Sequence, residues 1–285
     1  GITNNTGVTQ IDCINTSISL TATGGGTYSW SDGTSTVSSV AGLSVSDAGS
    51  YTVTVTAANG CTDTELITIT KVASPPTAVI TNNTAVTQID CTNPSISLTA
   101  TGGGTYSWSD GTSTVSVVDA LSVSNAGTYT VTVTAANGCT DTELITITKD
   151  ITTPTAGITN NTGATEVNCI NTSISLTATG GGTYSWSDGT STVSSVAGLT
   201  VSDAGIYTVT VTGSNGCTDT EIITITKDIT VPTAGITNNT GVTQIDCINT
   251  SISLTATGGG TYSWSDGTST VSSVAGLSVS DAGSY

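Results

Sequence analysis

Tyr51-Thr52-Val53-Thr54-Val55-Thr56 alternates an apolar with a hydroxyl-bearing side chain at every step. A period of two matches the pleat of a β-strand, so one face is apolar and the other is a row of Thr. Val and Thr are β-branched and suit a half-buried pleated surface. The stretch therefore reads as a strand with one side in a core. Outward from it, the same alternation turns Ile18, Leu20 and Ala22 inward from one run, and Tyr28 and Trp30 from the next. Leu43 and Val45 follow from a later run, and Ile67 and Ile69 from the last. Gly24-Gly25-Gly26, Asp32-Gly33, Ala48-Gly49 and Asn59-Gly60 separate these runs with residues that tolerate positive φ. Helical periodicity is absent. Strands are predicted at about 7–12, 17–23, 27–31, 34–40, 42–46, 50–57 and 62–70, and short strands with turn signals at such spacing predict a sandwich of two antiparallel sheets.

The whole pattern recurs. Cys13, Cys91, Cys169 and Cys247 stand 78 residues apart, as do Trp30, Trp108, Trp186 and Trp264. Three units are expected at 1–78, 79–156 and 157–234, with a truncated fourth at 235–285 that repeats residues 1–51 without a change. Tyr285, the counterpart of Tyr51, falls inside a predicted strand, and the chain starts without Met or a signal peptide. The expectation is a window on a longer protein. Linkers such as Val72-Ala73-Ser74-Pro75-Pro76-Thr77-Ala78, with Pro154 and Pro232 in its relatives, are too short and stiff for free tumbling. Units arranged end to end as a rod would each add on the order of 30 to 40 Å.

Composition narrows the function. Lys71, Lys149 and Lys227 are the only cations against 20 carboxylates, a net charge of −17, which argues against nucleic acid or an anionic membrane as partner. Residues 1–78 carry 17 Thr and 11 Ser, so hydroxyls do most of the solvating. No apolar run reaches the roughly 18 residues of a membrane helix, so no membrane insertion is expected. The core has no Phe or Met, and a unit of this size needs an extra staple. Two Cys per strand-rich unit suggest disulfides and an oxidising exterior.

Asp47-Ala48-Gly49-Ser50-Tyr51 resembles the tyrosine corner of the immunoglobulin superfamily, and it recurs with Tyr129, Tyr207 and Tyr285. In that family a Cys two residues past the Tyr pairs with a Cys of the second strand, and the third strand's Trp packs over the bridge. Here those positions hold Val53 and Ala22 while the Trp stays, so the resemblance implies an immunoglobulin-like sandwich whose core Trp packs directly on Val and Ala. The string from Leu20 to Gly33, with Gly49-Ser50-Tyr51-Thr52-Val53-Thr54-Val55-Thr56 and Asn59-Gly60-Cys61-Thr62, is similar to repeats of giant secreted adhesins of Bacteroidota. These include gliding-motility adhesins and grappling-hook filaments exported by the type IX system. That likeness implies delivery to the cell surface and work by adhesion or reach.

In such a sandwich Cys13 lies between the first two strands and Cys61 between the last two, at opposite ends. A strand of eight residues spans about 27 Å, whereas bridged Cα atoms lie within about 7 Å. Stacking end to end would instead bring Cys13 to Cys139 and Cys91 to Cys217. Bridges within a unit, bridges between chains and free thiols stay open as alternatives, and Cys61, Cys169 and Cys247 await partners in each scheme that leaves them over.

Catalytic chemistry finds no support. The chain has no His and no Arg, which removes the usual general base and the commonest metal ligand. Lys71 and its copies read as surface residues, and the triple Gly lacks the Lys and helix of a phosphate loop. No cofactor is expected. Asp12, Asp141 and Glu143 are the calcium candidates, since they should approach one junction and calcium takes several oxygens; Asn168 at the position of Asp12 weakens the case. The outward Thr rows read as solvated faces, with a flat ice- or sugar-binding face as the alternative. The leading expectation is a non-enzymatic extracellular shaft that gives reach and stiffness, bundles with its own copies, and meets its ligand through other regions. The alternative is an array of carbohydrate-binding modules serving a secreted hydrolase.

Overall fold

The computed structural model describes residues 1–285, all in strands, turns and connecting segments. No helix is long and apolar enough to cross a membrane. The first period forms β1 (Ile2–Asn4), β2 (Gln10–Ile11), β3 (Ile18–Ala22), β4 (Thr27–Ser31), β5 (Thr36–Ser38), β6 (Gly42–Val45), β7 (Gly49–Thr56) and β8 (Thr62–Lys71). They make two sheets, one ordered β1-β3-β6 and one ordered β2-β8-β7-β4-β5. The second period repeats them as β9 (Val79–Asn82), β10 (Gln88–Ile89), β11 (Ile96–Thr101), β12 (Thr105–Ser109), β13 (Thr114–Ser116), β14 (Ala120–Val123), β15 (Gly127–Thr134) and β16 (Thr140–Lys149). The third runs β17 (Gly157–Asn160), β18 (Glu166–Asn168), β19 (Ile174–Thr179), β20 (Thr183–Ser187), β21 (Thr192–Ser194), β22 (Gly198–Val201), β23 (Gly205–Thr212) and β24 (Thr218–Asp228), with the same two sheet orders. Residues 235–285 hold β25 (Gly235–Asn238), β26 (Ile252–Thr257), β27 (Trp264–Ser265), β28 (Thr270–Ser272) and β29 (Gly276–Val279).

The architecture is an all-β, immunoglobulin-like sandwich repeated along the chain. Its core follows from the alternation: Ile18, Leu20 and Ala22 from β3, Trp30 from β4, Val45 from β6, Tyr51 and Val53 from β7 and Ile69 from β8 are buried together. Trp30 lies opposite Val53 in the β4–β7 register, its ring is fully buried, and its indole N–H donates to the Ala41 carbonyl at 3.3 Å. Trp108, Trp186 and Trp264 repeat that bond to the carbonyls of Val118, Ala197 and Val274. The Tyr51 hydroxyl donates to the Asp47 carbonyl at 3.0 Å, and Tyr129, Tyr207 and Tyr285 do the same four residues back.

The first predicted strand, 7–12, shortens to β2, and a strand that was not predicted, β1, precedes it on the other sheet. β1 pairs antiparallel with β3, whereas β2 pairs parallel with β8, so the sandwich is not wholly antiparallel. The switch is made by Asn4, whose Oδ1 accepts from the Thr6 and Gly7 N–H groups and whose amide donates to the Val8 carbonyl. This local bonding holds residues 6–8 out of either ladder, between the Asn5 N–H, which donates to the Ser19 carbonyl, and the Thr9 carbonyl, which accepts from the Thr70 N–H. The run predicted at 34–40 shortens to β5 and pairs with β4. Gly49 is no turn glycine with positive φ: it opens β7 and lies beneath the Tyr51 ring. Gly26 does need its φ of 124°, because a Cβ there would land on the Thr56 carbonyl.

Packing divides the chain into two compact units. The first holds residues 1–155 with the loops 180–182 and 211–219, and the second holds 156–179, 183–210 and 220–285. The last turn of the third period, 211–219, thus belongs with the second period.

Local geometry sets two expectations. Ala85 is the one non-glycine residue at positive φ, 64°, where Gly7, Gly163 and Gly241 stand in the other periods. The left-handed region costs a residue with a Cβ about 1–2 kcal/mol, partly offset by the greater unfolded-state freedom of glycine. Ala85→Gly is expected to raise the unfolding free energy by a few tenths to about 1 kcal/mol, read from denaturant midpoints.

The second concerns the turn Asp32-Gly33-Thr34-Ser35, where Asp32 Oδ1 accepts from the Ser35 N–H at 2.7 Å and the Thr34 N–H at 2.9 Å and hydroxyl at 2.8 Å. These donors favour the carboxylate, Ser35 foremost, and lower its pKa to about 2. Asp110, Asp188 and Asp266 also fall to about 2, led by the hydroxyls of Thr112, Thr190 and Thr268. A depressed carboxyl supports folding above its unfolded value of about 3.9, and that support is lost as pH falls toward 2. The Asp110 carboxyl resonance should therefore titrate near pH 2, and Thr112→Val should move it upward. A midpoint near 4 in the unaltered protein would refute the turn's role.

Candidate functional site: the junction between repeats

Each junction is built from two turns prepared by their own repeats. In the first turn, between β2 and β3, Asp12 Oδ1 accepts from the Ile14 N–H at 3.0 Å and the Asn15 N–H at 2.6 Å, which presents Cys13 at the tip. Asp90 holds Thr92 and Asn93 in the same way around Cys91. Asn168 keeps both bonds, to Ile170 and Asn171, so the position needs an acceptor rather than a charge. In the second turn, between β15 and β16, the Ala135 N–H donates to the Cys139 carbonyl at 2.9 Å and Asn137 Oδ1 accepts the Cys139 N–H at 3.1 Å. Gly213, Asn215 and Cys217 repeat this arrangement.

The two turns meet across successive repeats. Cys13 is bridged to Cys139 and Cys91 to Cys217, with Cα atoms 4.9 and 5.0 Å apart, and each pair is 126 residues apart in sequence. Cys139 and Cys217 are buried. Beside each bridge the Cys13 and Cys91 N–H groups donate to the carbonyls of Asn137 and Asn215, both at 3.1 Å. Gly138, at φ 74°, lies against Ile14, and a Cβ there would run into that side chain. Gly216 lies against Thr92 in the same way. These interactions gather 211–219 into the first compact unit.

The linker is held by the same asparagines. Asn137 Nδ2 donates to the carbonyls of Val72 and Ser74 at 3.1 and 3.0 Å. Asn215 Nδ2 donates to the Thr152 carbonyl at 2.9 Å and to Asp150 Oδ1 at 3.1 Å. The Thr152 N–H and hydroxyl, with Asn215, hold the Asp150 carboxyl below the usual range. At the linker's other end the Ala78 N–H donates to Asp141 Oδ2 at 2.8 Å, and Thr77 lies so close over Gly102 that a Cβ there would meet its carbonyl. Asn137, Asn215 and the docking role of the triple glycine do not stand out in the sequence. The recurrence of Asn-Gly-Cys at one spacing, 59–61, 137–139 and 215–217, is the signal that could have found the asparagines.

Other site expectations fall differently. The calcium candidates Asp12, Asp141 and Glu143 are not drawn into a ligand set, since no three His, Cys, Asp or Glu side chains cluster anywhere. Asp12 serves its own turn and Asp141 caps the linker, while Glu143 stands exposed opposite Val131. Cys61, Cys169 and Cys247 are exposed thiols. Lys71 is tied to the Ser46 carbonyl at 2.9 Å and to Asp47 at 3.0 Å, and Lys227 to Asp203 at 2.8 Å. The four Trp rings lie in cores and offer no platform for stacking on a sugar.

No protein-family model matches the sequence, and no curated protein matches it. Among solved structures the chain is similar to a Ca2+-stabilized adhesin that helps an Antarctic bacterium reach out and bind ice, at 20% identity over 91% of this chain and 82% of that one, with a TM-score of 0.48. A structure bearing on host cell surface retention of a 1.5-MDa bacterial ice-binding adhesin is 21% identical over 81% of this chain and 98% of that one, TM-score 0.42. Murine CEACAM1b is 14% identical over 53% and 100%, TM-score 0.30.

The bridges can be read chemically, because the only tryptic sites are Lys71, Lys149 and Lys227. Cleavage of the denatured, unreduced chain should leave fragments 1–71, 72–149 and 150–227 joined as one species that reductant separates into three. Three separate fragments before reduction would mean that no bridge joins successive repeats.

Proposed function

We propose that each 78-residue period is one domain of a non-enzymatic extracellular shaft, arranged end to end as a rod that gives reach and stiffness to attachment at a cell surface. The observation that carries this reading is the junction built twice: a bridge, a backbone hydrogen bond and an asparagine clamp recur at the same positions. Such a joint opposes bending between neighbours, which a chain of independent binding modules would not need. Bridges also suit an oxidising exterior. A repeated surface gains length by adding modules and can pack side by side with its own copies. The similarity of the repeat to giant Bacteroidota adhesins supports a type IX secretion substrate of the gliding-adhesin or grappling-filament kind.

Negative-stain microscopy of the oxidised 285-residue chain is expected to give straight threads of roughly 120 to 160 Å, at about 30 to 40 Å per period. Reduction should broaden the distribution of end-to-end distances. Particles folded back on themselves before reduction would remove the shaft reading, and thick regular cables at high concentration would identify lateral self-assembly.

A further inference from the structure

The two bridges overlap. Each spans 126 residues while the repeat is 78, so residues 91–139 lie inside both Cys13–Cys139 and Cys91–Cys217. We infer that this overlap makes the chain a redundant strain limiter, in which either bridge alone holds the extended length almost as short as both together. The inference deepens the shaft reading and rests on it only for the origin of the load.

The covalent route decides the matter. With every strand pulled out of its sheet and both bridges intact, the shortest path from Gly1 takes 12 residue steps to Cys13 and crosses to Cys139. It then returns 48 steps to Cys91, crosses to Cys217 and takes 68 steps to Tyr285, which is 128 steps in all against 284 for the open chain. Without Cys13–Cys139 the path takes 90 steps to Cys91 and 68 from Cys217, or 158. Without Cys91–Cys217 it takes 12 steps to Cys13 and 146 from Cys139, again 158. Losing the first bridge therefore lets out 30 steps and losing the second lets out 126. Bridges closed within single repeats would share no residues, and each would let out its own 48 steps whatever the state of the others.

The redundancy follows from where the cysteines sit. Cys13 and Cys61 belong to turns at opposite ends of a repeat, so each repeat reaches forward with one and backward with the other. Successive bridges must then interleave rather than follow one another. The 30 steps released first equal the distance from Cys61 to Cys91 or from Cys139 to Cys169, a stretch holding one repeat's last strand, the linker and the next repeat's first two short strands.

Single-molecule stretching between handles at Gly1 and Tyr285 tests this in the full 285-residue chain. At ~3.4 Å per step the oxidised chain should reach ~440 Å, the Cys13→Ser/Cys139→Ser variant ~540 Å, and that variant with Cys91→Ser and Cys217→Ser ~970 Å. Pairing within repeats would give ~480 Å for the oxidised chain and ~800 Å for Cys13→Ser/Cys139→Ser, and that larger release overturns the inference. So does an oxidised chain that stretches to ~970 Å without reductant. Contour length is set by covalent bonds, so each variant is pulled only after peptide mapping shows which of its cysteines are joined. A release of ~100 Å from a protein that forms no threads under the microscope would leave the inference standing and remove the shaft reading.

Discussion

The fully buried Trp30 ring, packed with Val53 and Ala22 between two small sheets, is the interaction on which the rest of each repeat depends. Immunoglobulin-like domains commonly fix the spacing of their sheets with a disulfide under this ring. Here apolar burial does that work alone, and truncating such a ring typically costs about 3–5 kcal/mol. The indole bond to the Ala41 carbonyl and the Tyr51 bond to the Asp47 carbonyl then tie the core to the loops on its edge. With the sheets so fixed, the ends of β2 and β8 and their turns occupy set positions, and those positions are what the next repeat meets.

Freed from the core, the cysteines appear at the junctions. Each sits in a turn closed by its own asparagine or aspartate before any neighbour arrives, so little backbone freedom is left to lose when the bridge forms. The asparagines then serve two repeats at once. Asn137 holds the Cys139 N–H through its Oδ1, the linker through its Nδ2 and Cys13 through its carbonyl. Its counterpart Asn215 is almost fully buried, so replacing it would take the hydrogen bonds from several part-buried polar groups, which is costly.

Much of this is legible in the residues. Alternation in Tyr51 to Thr56 marks the strand and its inward face, the period marks the repeats, and strand direction points Cys13 toward Cys139, where the bridge is found. Bonds of single side chains are less legible. Whether residues 2–11 form one strand or two strands on different sheets depends on Asn4 folding back to Val8, a choice that β-propensity does not register. Asn59 and Asn137 close their turns with the same bond, but that the amide of the second also holds the linker of the repeat before it is not written in the local sequence. Asp141 reads in the sequence as a possible cation ligand, and its hydrogen bond from a backbone N–H of the linker is not legible there. A local motif announces its turn; it does not announce what the turn touches.

The bridge register has a consequence for the gene. A forward cysteine is joined to the backward cysteine of the following repeat, and both are copied in each of the three full periods, so removing or duplicating a whole number of 78-residue blocks keeps bridged cysteines at the same offset. Residues 235–285 repeat 1–51 without a change, so exchanging such blocks leaves the residues at the seam as they were. Whole blocks can thus be exchanged without leaving an unmatched thiol between them, whereas a gain or loss of any other length breaks the offset at the seam. Length is the property such a coding sequence can vary most freely, and the cross-linking pattern is what it preserves while doing so.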